Sequence, residues 1–257
     1  MKNMYFLTED KADKYFTERG DILKNGVFKL DDKVIKKIDV EKSQSVLYGV
    51  KFSYDKLLQF KDINVQGFSF AKGIIYTGLH NVYGTISEYA NGNNLEEKSL
   101  SCYKIEDVIN AIDIIKDSIK KISELNIGVN DIRNSNIIFD SKNMTLIDTT
   151  EYYFVYGDSK LYESNIVAIM ETIFNDLFFS FYKNGTCDLY NVYNLLDICK
   201  TNLDYFKRKE FLMNPVETLF MIKKYLEELL EMKLNTFGDC HEYIPDIIRG
   251  KTKTKRR

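Results

Sequence analysis

The sequence predicts an α+β protein in which a sheet-rich N-terminal part precedes a mainly helical part. Two β-prone runs, residues 26–30 and 33–38, flank the acidic pair Asp31-Asp32, which is the pattern of an antiparallel hairpin. Farther along, apolar residues recur at spacings of three and four from residue 105 to 125, which predicts an amphipathic helix. The change from one part to the other falls near Gly92.

The other predicted elements follow the same division. In the N-terminal part we expect one helix within residues 46–60 and a second antiparallel pair at 73–77 and 83–87. After Gly92, two short β-like runs at 136–139 and 144–147 are joined by a turn at 140–143. The rest is expected to be helical, at residues 161–182, 189–206 and 215–232, the last with Pro215 in its first turn.

Composition excludes several classes of function. A chain of 257 residues can form one large domain or two small lobes, and its formal charge of −2 indicates neither a nucleic-acid partner nor an acidic membrane. The N-terminus has no apolar leader, and the apolar stretch 166–182 is too polar to span a bilayer. The four cysteines are scattered without a C-x-x-C pair, which is typical of reduced thiols. We therefore expect a cytoplasmic protein without membrane contact.

Residues 130–148 contain the side chains that phosphoryl transfer requires. The reaction needs a cation for the phosphates, oxygen ligands for magnesium and a carboxylate that orients the attacking hydroxyl. A D-x-x-x-x-N motif runs from Asp131 to Asn136, directly after the long helix and before an apolar run. A turn and a second apolar run then end in Asp148. The order of these pieces, more than any one of them, is similar to the order found in a known family of phosphotransferases.

Taken in order, these segments resemble the protein kinase superfamily. V-I-K at residues 34–36 is similar to the family's V-A-I-K strand, so the resemblance implies that Lys36 binds the phosphates of ATP. E-Y-A-N-G-N-N-L at residues 88–95 is similar to the hinge, whose backbone binds adenine in the family. The hinge residues implied at the adenine are Glu88, Tyr89 and Ala90.

The D-x-x-x-x-N motif resembles the catalytic loop H-R-D-x-x-x-x-N of the same superfamily. This resemblance implies that Asp131 is the catalytic carboxylate and that Asn136 and Asp148 hold magnesium. Arg133 stands where many protein kinases have a lysine near the transferred phosphate, and it could supply the same charge. An ordinary surface arginine is the alternative for Arg133.

The chain also departs from the family pattern. A G-x-G-x-x-G loop is absent. Asp55 is the nearest carboxylate to the position where a partner of Lys36 is expected, and the alternative for Asp55 is an ordinary exposed residue of a helix. Thr149-Thr150 replaces Phe-Gly after Asp148, and the next helix is expected near residue 161. The segment that forms the peptide platform in protein kinases is therefore short, as in small-molecule kinases of the aminoglycoside and choline type.

The resemblance implies a bilobal protein-kinase-like fold. Its expected parts are an N-terminal lobe of antiparallel sheet plus one helix (1–87), a hinge (88–95), a helical C-terminal lobe (96–248) and a basic, disordered tail (249–257). The implied activity is transfer of the γ-phosphate of ATP, with Mg²⁺ as cofactor, to a hydroxyl group. A protein serine or threonine is the first expected acceptor, a small-molecule alcohol is the alternative, and a pseudokinase binding module is the second alternative.

Overall fold

The computed structural model describes residues 3–38, 59–78, 81–181, 192–199 and 205–250. The chain divides into two compact units, one of Met1–Ala90 with Leu146–Tyr153 and one of Asn91–Thr145 with Phe154–Arg257. The fold is α+β, with a six-stranded mixed sheet in the first unit and most of the described helices in the second. In the described part of the chain, none of the helices has the length and apolar character needed to cross a membrane.

The sheet of the first unit contains the predicted hairpins. Its strands are β1 (Met4–Phe6), β2 (Asp21–Lys24), β3 (Val27–Leu30), β4 (Lys33–Lys37), β5 (Gly73–Thr77) and β6 (Asn81–Glu88), and their order is β1-β5-β6-β4-β3-β2. The pairs β3–β4 and β5–β6 are antiparallel, which confirms both predicted hairpins. Asp31, with φ 55°, takes the left-handed conformation that so tight a turn requires.

The prediction of a purely antiparallel sheet is wrong at one edge. Strand β1 pairs with β5 in parallel, with Met4 beside Ile75 and Phe6 beside Thr77. Three residues are too few to show an alternating pattern in the sequence, so β1 was not predicted. The parallel pairing is possible because residues 7–72, which include α1 and the strands β2, β3 and β4, lie between β1 and β5, so no short hairpin turn joins them.

That helix, α1 (Glu9–Arg19), was also missed. Only Ala12 and Phe16 are buried along it, so its apolar pattern is too sparse to predict a helix. Thr8 caps its first turn by accepting a hydrogen bond from the amide of Lys11. Asp13 attaches the helix to the sheet, because its carboxylate accepts from the hydroxyl of Tyr83 at 2.5 Å and from Nζ of Lys37 at 3.0 Å. The helix expected at 46–60 lies almost entirely outside the described residues, as does Asp55.

The second unit is mainly helical. Its helices are α2 (Ile105–Glu124), α3 (Leu161–Phe179), α4 (Val192–Cys199), α5 (Tyr205–Met213), α6 (Pro215–Leu230) and α7 (Ile244–Ile248). Helix α2 confirms the amphipathic prediction, since the apolar residues at spacings of three and four are its buried ones. Helices α3 and α6 confirm two further predictions, and α4 and the start of α5 lie in the range where one helix was expected. Residues 251–257 of the basic tail lie outside the described part of the chain.

Short strands connect these helices: β7 (Asn93–Asn94), β8 (Ile127–Gly128), β9 (Ile137–Phe139), β10 (Met144–Leu146) and β11 (Tyr153–Phe154). The predicted hairpin is β9–β10, and β7 pairs antiparallel with β9. Gly92, with φ 118°, precedes β7 and lies directly against the carbonyl group of Phe139, where a Cβ atom would overlap the oxygen. The glycine is therefore required for β7 to reach β9.

Candidate functional site

In the first unit, Lys36 and Asp148 form an ion pair between Nζ and Oδ1. Lys36 lies in the middle of β4, with Thr85 and Val27 as its neighbours on the adjacent strands. The preceding residue, Ile35, is fully buried, and alternation along the strand places Lys36 on the other face. The side chains of Lys36 and Asp148 are 36% and 25% exposed, so a ligand from solvent can reach both.

Backbone hydrogen bonds explain how Asp148 comes to lie in this unit. The amide of Leu146 donates to the carbonyl oxygen of Gly67 at 2.8 Å, and the amide of Ser69 donates to the carbonyl oxygen of Leu146 at 2.9 Å. The hydroxyl of Thr149 donates to the carbonyl oxygen of Ser69 at 3.2 Å. The residues on both sides of Asp148 are therefore attached to the segment at residues 67–69.

An aromatic cluster stabilises the same region. The ring of Tyr152 is buried and contacts Phe68 and Phe70 edge-on, with 6.2 Å between the ring centroids in each case. Asp148 lies in the sequence between the end of β10 and Tyr152. It has a left-handed conformation at φ 58° and directly precedes a 3-10 helix at Thr149–Glu151. The hydroxyl of Thr150 donates to Oδ1 of Asp148 at 3.0 Å. The position of the carboxylate is thus fixed from both ends of the segment.

In the second unit, Asp131, Arg133 and Asn136 gather in one loop. Nη2 of Arg133 contacts both carboxylate oxygens of Asp131. Nδ2 of Asn136 donates to the backbone oxygen of Asp131 at 2.9 Å and to its Oδ2 at 3.1 Å. Asn136 is buried, whereas the side chain of Arg133 is 60% exposed. Hydrogen bonds therefore connect the first and last residues of the D-x-x-x-x-N motif, and the exposed Arg133 pairs with its aspartate.

Asn165 on α3 holds the beginning of this loop, and sequence reasoning missed it. Its Oδ1 accepts from the amide of Val129 at 2.9 Å, and its Nδ2 donates to the carbonyl oxygen of Ile127 at 2.8 Å and to the hydroxyl of Ser123 at 2.9 Å. The side chain is only 2% exposed. The available signal was an asparagine directly before the apolar run 166–170, because an amide that becomes buried there must find hydrogen-bond partners.

Asp176, on the same helix, holds the other end of the loop and was also missed. Its carboxylate is 1% exposed and accepts from the amide of Leu100 at 2.7 Å, the hydroxyl of Ser99 at 3.0 Å and Nδ2 of Asn134 at 3.2 Å. Burial raises the pKa of Asp176 to about 6, although the hydrogen bonds from Leu100 and Ser99 act in the opposite direction. Asp176 therefore connects the loop to the segment at residues 99–100.

The predicted hinge residues are partly engaged within their own unit. The amide of Tyr89 donates to the carbonyl oxygen of Asp32 at 2.8 Å, and the carbonyl oxygen of Glu88 accepts from the hydroxyl of Ser69 at 3.0 Å. Nζ of Lys29 lies 4.0 Å from the centroid of the Tyr89 ring. The amide of Tyr89 therefore already donates a hydrogen bond within the first unit. Ala90 is the next residue of the predicted hinge.

The donor atoms suit magnesium and phosphate. Asp148 offers a carboxylate and Asn136 a carboxamide, both of them hard oxygen ligands, and Lys36 offers an ammonium group. Over the described residues, three or more His, Cys, Asp or Glu side chains nowhere gather as a metal cluster.

No protein-family model matches the chain, and a comparison with curated proteins found no similar sequence.

Proposed function

We propose that this protein is an ATP- and magnesium-dependent phosphotransferase of the protein-kinase-like superfamily. The observation that carries the proposal is the ion pair between Lys36 and Asp148. These residues are far apart in the sequence, and two different motifs predict them as residues of the site. Their contact within one unit supports a common role in binding the phosphates and the metal ion of a nucleotide.

The first unit would bind the phosphates. The ammonium group of Lys36 would contact phosphate oxygens, and the carboxylate of Asp148 would hold Mg²⁺. Lys36 and Asp148 neutralise one another in the free protein. A magnesium nucleotide offers each of them a new partner of opposite charge, so binding would exchange one ion pair for two.

The second unit would provide the groups for the acceptor. Asp131 would orient the attacking hydroxyl and accept its proton, and Asn136 would hold Mg²⁺ through its carboxamide oxygen. Arg133, which contacts Asp131 in the free protein, would turn its guanidinium group to the transferred phosphate. A magnesium ion held by these residues would supply positive charge that offsets the negative charge developing on the phosphate during transfer.

We also propose that the two units correspond to the two lobes of a protein-kinase-like fold. Five antiparallel strands in the order β5-β6-β4-β3-β2, with Lys36 on the central one, support a kinase-like N-terminal lobe. The mainly helical second unit supports a C-terminal lobe. The parallel strand β1 and helix α1 would be additions at the edge of that lobe.

A small-molecule acceptor is the second candidate, and the length of one segment favours it. Only residues 149–160 lie between Asp148 and α3, and they include a 3-10 helix and the strand β11. So short a segment leaves little chain for a peptide-binding platform. If the acceptor is a protein, we expect transfer to a pool of serine/threonine peptides. If it is a small molecule, we expect transfer to members of a panel of aminoglycosides and amino alcohols.

The test is phosphate transfer from γ-labelled ATP with Mg²⁺, measured on both acceptor panels. We expect Lys36→Met, Asp148→Asn and Asp131→Asn each to lower kcat/KM by roughly 100-fold or more, since each removes a charge that acts in the transition state. Lys33→Met, on the same strand as Lys36, and Glu151→Gln, three residues after Asp148, are the matched controls and should stay within about threefold of wild type.

Activity of the Asp148→Asn variant equal to that of wild type would contradict the assigned role of Asp148. Equal losses in Lys36→Met and Lys33→Met would show a general effect on the strand instead of a role in phosphate binding. Absence of transfer by the wild-type protein to every acceptor, together with absence of ATP hydrolysis, would overturn the proposed function.

A further inference from the structure

Asp176 carries a carboxylate that is buried in the second unit. Its side chain is 1% exposed, and its described hydrogen bonds come from one amide, one hydroxyl and one carboxamide. Within the described residues, none of the lysines or arginines forms an ion pair with it. A buried charge of this kind lowers stability unless its hydrogen bonds offset the loss of water. Burying this carboxylate therefore costs stability, which is unfavourable for a residue whose role is purely structural.

The donors to Asp176 come from two separate segments. Oδ2 accepts from Leu100 and from Ser99, which caps the 3-10 helix Leu100–Cys102. Oδ1 accepts from Asn134, the first residue of the 3-10 helix Asn134–Asn136. One side chain on α3 thus joins two short helices that are not adjacent in sequence.

Asn134 is held from its backbone as well. Its carbonyl oxygen accepts a hydrogen bond from the amide of Leu95 at 3.1 Å, and the same amide lies 3.1 Å from the carbonyl oxygen of Ile137. The amide of Asn136 donates to the carbonyl oxygen of Arg133 at 2.9 Å, which closes the turn of the 3-10 helix. The side chain of Asn134 is therefore the connection through which Asp176 acts on a turn that ends at Asn136.

We infer that Asp176 is a positioning residue for the loop that contains Asp131 and Asn136. By holding Asn134, it fixes the turn from Arg133 to Asn136, and Asn136 in turn fixes Asp131 through two hydrogen bonds. Asp176 has no described contact with Asp131 itself, so its action is indirect. The catalytic consequence rests on the proposed function, whereas the ordering of the loop does not.

Two variants of Asp176 separate its hydrogen bonding from its charge. Asp176→Asn keeps an oxygen that can accept from Leu100, and the carboxamide of Asn134 can rotate to present its own oxygen to the new amide group. Asp176→Leu keeps the branching of the side chain but leaves the donors of Leu100 and Asn134 without an acceptor. Asn134→Ala removes the connection from the loop side, and should fold even if Asp176→Leu does not.

Thr218→Val is the matched control. Thr218 is 2% exposed, and its hydroxyl donates to the carbonyl oxygen of Phe211 at 2.7 Å. It is a buried, hydrogen-bonded polar residue of the same unit, and its described hydrogen bonds do not involve the loop. Its loss should lower the melting temperature of the protein without changing the order of the loop.

The experiment has two readouts on the full chain. Hydrogen exchange of peptides covering residues 129–137 should accelerate at least about tenfold in Asp176→Leu and Asn134→Ala, and should stay near wild type in Asp176→Asn and Thr218→Val. In phosphate transfer, kcat should fall about 10–100-fold in the first two variants, with KM for ATP changed less than about threefold. The double variant Asp176→Leu/Asn134→Ala should lose no more than either single variant, because both act through one bond.

Unchanged exchange at residues 129–137 in both Asn134→Ala and Asp176→Leu would overturn the inference, whatever the activity. An equal loss of kcat in Thr218→Val would also overturn it, since general destabilisation would then explain the effect. If the wild-type protein transfers no phosphate, the proposed function fails while hydrogen exchange still decides whether Asp176 orders the loop.

Discussion

Two aspartates of the candidate site have a backbone conformation that is unusual for residues other than glycine. Asp131 and Asp148 have φ values of 54° and 58°, in the left-handed region. Asp31 and Ser141 share positive φ but lie in hairpin turns, and Asn126 follows the end of a helix. Left-handed residues cost on the order of 1–2 kcal/mol and persist where the surrounding structure holds them. At Asp131 and Asp148 the strain coincides with the side chains that the proposed reaction needs.

The raised pKa of Asp176 predicts how stability depends on pH. Its pKa rises from an ordinary value near 3.8 to about 6 in the folded protein, so between these values the folded state binds a proton that the unfolded state releases. The contribution of Asp176 to stability is therefore most favourable below about pH 4 and is lost as the pH rises through 6. We expect the free energy of unfolding of wild type, relative to Asp176→Asn, to fall by about 2–3 kcal/mol from pH 4 to pH 7.5.

Denaturant unfolding of both proteins over this pH range measures the difference, and Asp176→Asn is its own control because it cannot titrate. A difference that stays constant with pH, or that grows in favour of wild type as the pH rises, would contradict the assignment of a raised pKa to Asp176.

At the scale of elements, the predictions succeeded where the apolar pattern is long. Helix α2 shows nine buried positions over twenty residues, and its limits were predicted to within one residue. Strand β1 and helix α1 were missed because three residues, or two buried positions, do not establish a period. Helix α1 is held by the polar contacts of Asp13, and those join residues distant in sequence.

Gly92 allows a direct test of how the second unit begins. We expect Gly92→Ala to lower the free energy of unfolding by on the order of 2–4 kcal/mol, because a Cβ atom would overlap the carbonyl group of Phe139 and the residue has φ 118°. Gly157→Ala is the matched control: Gly157 also has positive φ, at 77°, but nothing lies within 4 Å of the position of a new Cβ atom. Its cost should be about 1–2 kcal/mol.

Thermal unfolding of the three proteins measures this difference. Equal losses in Gly92→Ala and Gly157→Ala would show that backbone conformation alone explains the effect, without the contact with Phe139.

At the scale of the whole molecule, the chain returns to its first unit after it has begun the second. Residues Leu146–Tyr153 belong to the first unit, although the residues on both sides of them belong to the second. Asp148 lies in this returning segment, so it shares a unit with Lys36 and not with Asp131 or Asn136. A nucleotide that binds to this pair should therefore raise the stability of the full chain.

We expect ATP with Mg²⁺ to raise the melting temperature of the wild-type chain by about 5–10 °C at a concentration 100 times Kd. Lys36→Met should reduce the shift strongly, whereas Lys33→Met should not, because Lys36 pairs with Asp148 and Lys33 pairs with Asp32. Thermal melting with ATP, ADP and nucleotide in the presence of a chelator measures the effect. A chain that shows no shift at millimolar ATP would favour the second alternative, a pseudokinase that acts as a binding module.

The sequence by itself determined the α+β class, both hairpins of the first unit, the long helix α2 and the loop motif from Asp131 to Asn136. These features are local: a hydrophobic period, a two-residue turn or a spacing of five residues is complete within a short stretch of chain. Only the tertiary structure decided that Asp148 pairs with Lys36, that β1 joins the sheet in parallel, and that Asn165 and Asp176 hold the two ends of the loop. Each of these depends on contacts between residues far apart in sequence, and local patterns do not specify which distant partner a buried polar group will find.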